Sequence, residues 1–197
     1  FQQVKVVKCG DLFLFLFLGG IMRQAEYLER PFTLLKPIES INQVTVKPMS
    51  RESSMDVEPK GDTFTQEEKE ALVMASTGLN QDELDSLSSP DWLALYEASY
   101  DFYRQTGYQL ANVEQDDTAK EVTLYFTGER KVSFEFPTLK LSKMANKISD
   151  DIKRACFIVA NLTELEEDEI MSLPLPDYRS LVNAATNFLT KPAAYFQ

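Results

Sequence analysis

The stretch LNQDELDSLSSPDWLALYEASYDF, Leu79 to Phe102, returns 86 positions later as LEEDEIMSLPLPDYRSLVNAATNF, Leu165 to Phe188. The two align without a gap, and ten of the 24 positions are identical, among them Asp82/Asp168, Glu83/Glu169, Leu87/Leu173, Pro90/Pro176, Asp91/Asp177 and Phe102/Phe188. Leu84/Ile170 and Trp92/Tyr178 are conservative exchanges. Self-similarity at a fixed offset marks an internal repeat, which decides the fold before any single element does. Each copy reads as a short helix with an acidic start, carrying Leu84 and Leu87 or Ile170 and Leu173 inward. Pro90 or Pro176 then opens a second helix, where a missing N–H costs nothing. Asp91 or Asp177 follows in its first turn, where negative charge meets the positive helix end. Leu95, Ala98 and Phe102 keep helical spacing, as do Leu181, Ala184 and Phe188. This signature is scaffold and holds no catalytic constellation.

Working outward, FTLLKP (Phe32–Pro37) and QVTVKP (Gln43–Pro48) read as a β-hairpin whose strands end at the prolines. SRESSMDVEPKGD reads as a flexible loop. Thr65 and Glu68 form a capping box ahead of a helix that Gly78 ends. In the second copy VTLYFTGERKVSFEF (Val122–Phe136) reads as a hairpin turning at Gly128, followed by one long helix over about Leu139 to Asn161. The expected architecture is α+β: a tandem repeat of a small unit, each a β-hairpin followed by two or three helices. Its divisions are residues 23–107 and 121–192 for the units, 108–120 for a linker and 193–197 for a loose tail.

Residues 1–22 differ in character from the rest. An apolar run from Leu12 to Leu18 follows Lys5 and Lys8 but is far too short to span a bilayer. Gly19-Gly20-Ile21-Met22 is encodable by a purine-rich string just before a start codon. The expectation is that residues 1–22 are a non-native or mis-annotated extension and that Met22 is the authentic start.

The composition narrows function. A net charge of −11 over 197 residues argues against a general nucleic-acid binder, which needs a basic face for phosphates. The absence of histidine removes Ser-His-Asp and Cys-His catalysis and every histidine metal site. Seven glycines include no phosphate-cradling spacing. Cys156, in the apolar run RACFIVA, reads as a small buried hydrophobe. The acids Asp82, Glu83 and Asp91, or Asp168, Glu169 and Asp177, form a metal or acid–base site only if separate helices bring them together; helix N-termini explain them without function. Lys140, Lys143, Lys147, Lys153 and Arg154 read as a solvated helix face. The expectation is no enzyme, no cofactor, no metal, no nucleic acid and no membrane.

Tyr96, Tyr100 and Tyr103 stand apart. Their equivalents in the second copy are Val182, Thr186 and Leu189, so the repeat does not require them. They read as a candidate partner-binding face, whereas Trp92, matched by Tyr178, reads as core.

STGLNQDELDSLSSPDWLALYEASYDFY (Ser76–Tyr103) and ANLTELEEDEIMSLPLPDYRSLVNAATNFL (Ala160–Leu189), each following a hairpin, resemble the Mu-like phage tail assembly chaperone family. Members of that family are about one unit long, so the chain looks like two family-like units in tandem, over roughly 27–107 and 115–192. The resemblance implies a phage or prophage chaperone in the bacterial host cytoplasm that transiently binds the tape measure protein, or another tail component, and keeps it soluble during assembly. It implies no catalytic residues, and self-association stays open. The alternative is a structural or adaptor subunit that remains in a phage tail or related particle.

Overall fold

The structure, a computed structural model, describes residues 27–197. The expected start at Met22 and the boundary at residue 23 lie outside the described residues. The architecture is α+β, with two antiparallel hairpins, each followed by helices.

The first hairpin pairs β1 (Arg30–Ile38) with β2 (Ile41–Val46), Phe32 opposite Val44 and Ile38 opposite Ile41. Pro37 does not end the strand as its residue type suggested. The register is irregular between Thr33 and Ile38, so no ladder bond is required of Pro37. The loop expected to be flexible is partly helical: α1 (Arg51–Ser54) and a 3₁₀ turn over Met55–Val57, with Ser50 capping the Ser53 N–H. Then come α2 (Gln66–Thr77), α3 (Gln81–Asp85) and α4 (Ser89–Arg104). The Thr65/Glu68 capping box forms, with Thr65 N–H donating to Glu68 Oε2 at 2.8 Å, and Gly78 takes the left-handed cap at φ 77°.

The expected linker at 108–120 is likewise not free. It opens with α5 (Gly107–Leu110), and Tyr108 is only 8% exposed, its hydroxyl accepting the Thr123 N–H at 2.7 Å. The second hairpin is β3 (Glu121–Leu124) with β4 (Arg130–Ser133), Val122 opposite Val132, turning through Gly128 at φ 78°. The single long helix expected here is two, α6 (Leu139–Ala145) and α7 (Asp151–Leu162). Asp150 is the reason: it leaves the helical conformation and takes the N–H groups of Ile152 and Lys153 at 2.9 and 3.0 Å. Closing the unit are α8 (Glu167–Ser172) and α9 (Leu175–Thr190). Shifted by 86, α4 falls on α9 residue for residue. The tail is not loose: Phe196 stacks on Phe188 with centroids 5.0 Å apart and meets Phe136 edge-on at 5.5 Å.

Asp91 and Asp177 do more than suit a helix dipole. Asp91 accepts the Leu35 N–H at 3.0 Å and the Lys36 N–H at 3.4 Å, donors in the stretch where the β1–β2 ladder is irregular. Asp177 accepts the Phe126 N–H at 3.0 Å and the Thr127 hydroxyl at 3.3 Å. In both units the first turn of the closing helix thereby fastens the hairpin. Their environments part at that point. Donors from Leu35 and Ser88 hold the Asp91 carboxyl below the usual range. Burial pushes Asp177, 0% exposed and with Oδ1 unpartnered, up to about 7.

Each unit has its own core, the first built on Leu34, Val46, Val73, Leu95 and Phe102, the second on Val122, Val132, Val159, Leu181 and Phe188. The units are joined by a main-chain seam. Arg51 N–H donates to Leu173 carbonyl at 2.9 Å and Leu175 N–H to Met49 carbonyl at 2.8 Å, a small antiparallel bridge centred on Ser50 and Pro174. Arg51, 4% exposed, pairs with Glu58 at 2.9 Å and lies over the Tyr178 ring. Phe126, from the second hairpin, packs into the first core edge-on to Phe102. Gly107 closes the seam where it is tightest: its N–H donates to Ser180 Oγ at 3.1 Å, and a Cβ there would sit 2.9 Å from Asp177 Oδ1.

Candidate partner-binding site

The tyrosines of α4 form a ladder. Trp92, Tyr96 and Tyr100 recur every fourth residue, so their rings lie along one helix face. Trp92 and Tyr96 stack with centroids 6.1 Å apart and planes at 16°, Tyr96 and Tyr100 at 5.9 Å and 19°. Phe64, delivered by the segment that enters α2, stands perpendicular to Tyr100 at 5.9 Å and to Tyr103 at 5.2 Å. All three tyrosines are half-buried, with one side packed on Met49, Val57 and Leu72 and the other open. Trp92 is half-buried at the edge of the first core and heads the ladder, not an interior position as its match with Tyr178 suggested.

The ladder floors a groove of about 440 Å³ between Pro59, Asp62, Thr63 and Phe64 on one wall and Tyr96, Tyr100, Tyr103 and Arg104 on the other, with Lys69 reaching over it. A smaller hollow of about 160 Å³ continues at the Trp92 end, lined by Glu70, Leu84, Asp85 and Leu87 among others. Cations of the chain lie over the rings: Lys69 Nζ is 5.3 Å from the Tyr96 centroid, the Arg104 guanidinium 5.5 Å from Tyr100 and that of Arg179 5.3 Å from Tyr103. Burial raises the Tyr96 and Tyr103 phenols above their ordinary value, so both stay neutral and present a ring face and a hydroxyl.

The cleft between α7 and α9, equivalent in the second unit, is different. It measures about 330 Å³ and is lined by Ile158, Val159, Val182, Ala185 and Leu189, without an aromatic ring. The ladder therefore belongs to the first unit alone. Sequence reading found its tyrosines but not Phe64, Lys69 or Arg104. Phe64 sits in an irregular segment without periodicity, and a lysine and an arginine on helix faces look like solvated charge.

The repeat-signature residues fall into structural places. Leu84, Phe102, Ile170, Leu173, Tyr178 and Phe188 are buried, as are Pro176, Asp91 and Asp177; Leu87 is half-buried and Pro90 exposed at its helix start. Among the described residues no three Asp, Glu, Cys or His side chains gather in a metal-holding group. Cys156 is buried, its Sγ 3.4 Å from Met171 Sδ, and burial raises its thiol. On the basic face, Lys140, Lys143, Lys147 and Lys153 are exposed, while Arg154 pairs with Asp151. No described helix is long and apolar enough to cross a membrane. No family model matches the chain, and neither a curated protein nor a solved structure gives a significant match.

Proposed function

We propose that the chain is a phage or prophage tail assembly chaperone, acting in the host cytoplasm, that transiently holds the tape measure protein and keeps it soluble until the tail is built. The observation that carries this reading is the half-open aromatic face of Tyr96, Tyr100 and Tyr103 in a groove between α4 and the segment that enters α2, on one unit of a duplicated scaffold. Tyr and Trp dominate protein-binding hot spots because they bury large area at small entropic cost. A groove of this kind accepts the apolar face of a client helix. The resemblance in Ser76–Tyr103 and Ala160–Leu189 supplies the identity of that client. Binding, not chemistry, is the activity this arrangement supports, and a net charge of −11 favours keeping a complex with an aggregation-prone client in solution.

Co-expression with the tape measure protein encoded nearby in the same genome tests this. The client is expected to become soluble and co-purify with the chain, and purified particles are expected to lack it. No co-purification, with the chain present in finished particles, would replace the chaperone with a structural or adaptor subunit.

A further inference from the structure

The ladder lies on the more acidic of the two units. Residues 27–107 hold fifteen Asp and Glu against seven Lys and Arg, whereas residues 115–192 hold thirteen against ten. Carboxylates stand at both ends of the ladder: Asp62 beside Phe64, Glu70 and Asp85 beside Trp92. Among the described residues, none of these three is within ion-pair distance of a cation. Glu70 accepts from the side-chain amides of Gln66 at 2.8 Å and Gln81 at 3.4 Å, and Asp85 from Gln81 at 3.0 Å. The ring faces between these ends already hold positive charge, Lys69 over Tyr96 and Arg104 over Tyr100. Lys69 has no described carboxylate partner, so the ring is what holds it.

Spacing adds a second constraint. The rings follow one another at 6.1 and 5.9 Å. Four residues of an α-helix rise about 6 Å, so a partner helix lying along α4 meets successive rings with successive i, i+4 side chains.

We propose that this groove takes a basic amphipathic helix of a partner, whose lysine or arginine side chains settle on the tyrosine faces, one of them in place of Lys69, while its neighbouring cations pair with Asp62, Glu70 and Asp85. The inference rests on the reading of the ladder as a client-binding face and specifies the client's chemistry. Lys69 covers the Tyr96 ring until a partner cation, drawn by the acidic unit, displaces it, whereas Arg104 is also held by Asp101 at 3.2 Å.

Trp92 is the only tryptophan in the chain and lies on the ladder, so its emission reports occupancy. The test titrates the full chain at constant salt with two designed tryptophan-free helical peptides sharing one leucine face, one with lysine and the other with glutamate opposite. The lysine peptide is expected to shift Trp92 emission saturably and to bind about tenfold tighter than the glutamate peptide. Tyr100→Ala is expected to weaken it about fivefold or more, Tyr96→Phe to leave it within about twofold, and Lys69→Ala to tighten it. Equal binding of the two peptides would overturn the proposal. So would lysine-peptide binding indifferent to Tyr100→Ala, which is the mark of general attraction to an acidic surface. If Tyr100→Ala does not fold, Lys69→Ala decides, since unchanged or weaker binding contradicts displacement. A chain that binds the lysine peptide as expected but leaves the tape measure protein insoluble ends the chaperone reading and keeps the groove assignment. Tape measure protein solubilised equally by the parent and by folded Tyr100→Ala does the reverse.

Discussion

Asp177→Asn is expected to abolish a loss of stability that the parent chain undergoes between about pH 4 and pH 7. Folding takes the Asp177 carboxyl from its ordinary 3.8 up to about 7, because the group is fully buried and Oδ1 has no hydrogen-bond donor. The Phe126 N–H and Thr127 hydroxyl reach Oδ2 and offset only part of that desolvation. The sign follows from proton uptake: between the two values the native state binds a proton that the unfolded chain has released, so stability falls as pH rises and levels off above about 7. The shift corresponds to about 4 kcal/mol across the whole window. Asparagine keeps an acceptor for the Phe126 N–H and carries no charge, so the variant is expected to unfold at higher urea than the parent at pH 8 and at a similar concentration at pH 4. Asp91, Asp101 and Asp150, whose carboxyls are held below the usual range, act in the opposite sense and lose their contribution in acid. Comparing parent with variant cancels them. Curves that stay parallel from pH 4 to pH 8 would show that the Asp177 environment is wetter than its packing indicates.

Phe102→Ala is expected to cost about 3–5 kcal/mol, the range for emptying a buried phenylalanine site. Phe102 is 2% exposed, sits under the Arg30 guanidinium at 5.1 Å and meets Phe126 edge-on at 6.0 Å. That last contact crosses from one unit to the other. A cycle of Phe102→Ala and Phe126→Ala in urea denaturation is therefore expected to show a coupling of about 0.5–1.5 kcal/mol. The two units are also expected to unfold in one transition. Additive effects with two separate transitions would mean that the seam contributes nothing and that the repeats are independent domains.

The closing helices were legible in their starts and their register. The match at offset 86 carries proline, acid and apolar spacing together, and α4 and α9 obey all three. Capping was legible at Thr65, where a polar side chain and a glutamate three residues on have a fixed local meaning. What could not be read depends on partners remote in sequence. Arg51 and Ser54 lie in a run that looks solvated, yet the backbone of Met49 and Arg51 pairs with that of Leu173 and Leu175, and main-chain pairing leaves no signature in side-chain type. Tyr108 is buried because the second hairpin folds back on it, which turns the head of an apparent linker into α5. The split between α6 and α7 was within reach, since Ser149-Asp150 ahead of Asp151 is a cap signal, but the apolar register of Met144, Ile148 and Ile152 runs straight through it. The aromatic ladder was half legible. Its tyrosines stood out because the second copy lacks them, whereas Phe64 reaches them only through the tertiary fold.

Hydrogen exchange on the full chain with and without the tape measure protein addresses the proposed client-binding face most directly. Protection gained on binding is expected over residues 59–69 and 92–104, the two walls of the aromatic groove, with little change on the exposed lysine face of α6 and α7. Protection confined to that lysine face, or to the cleft between α7 and α9, would contradict the assignment and move the client to the second unit.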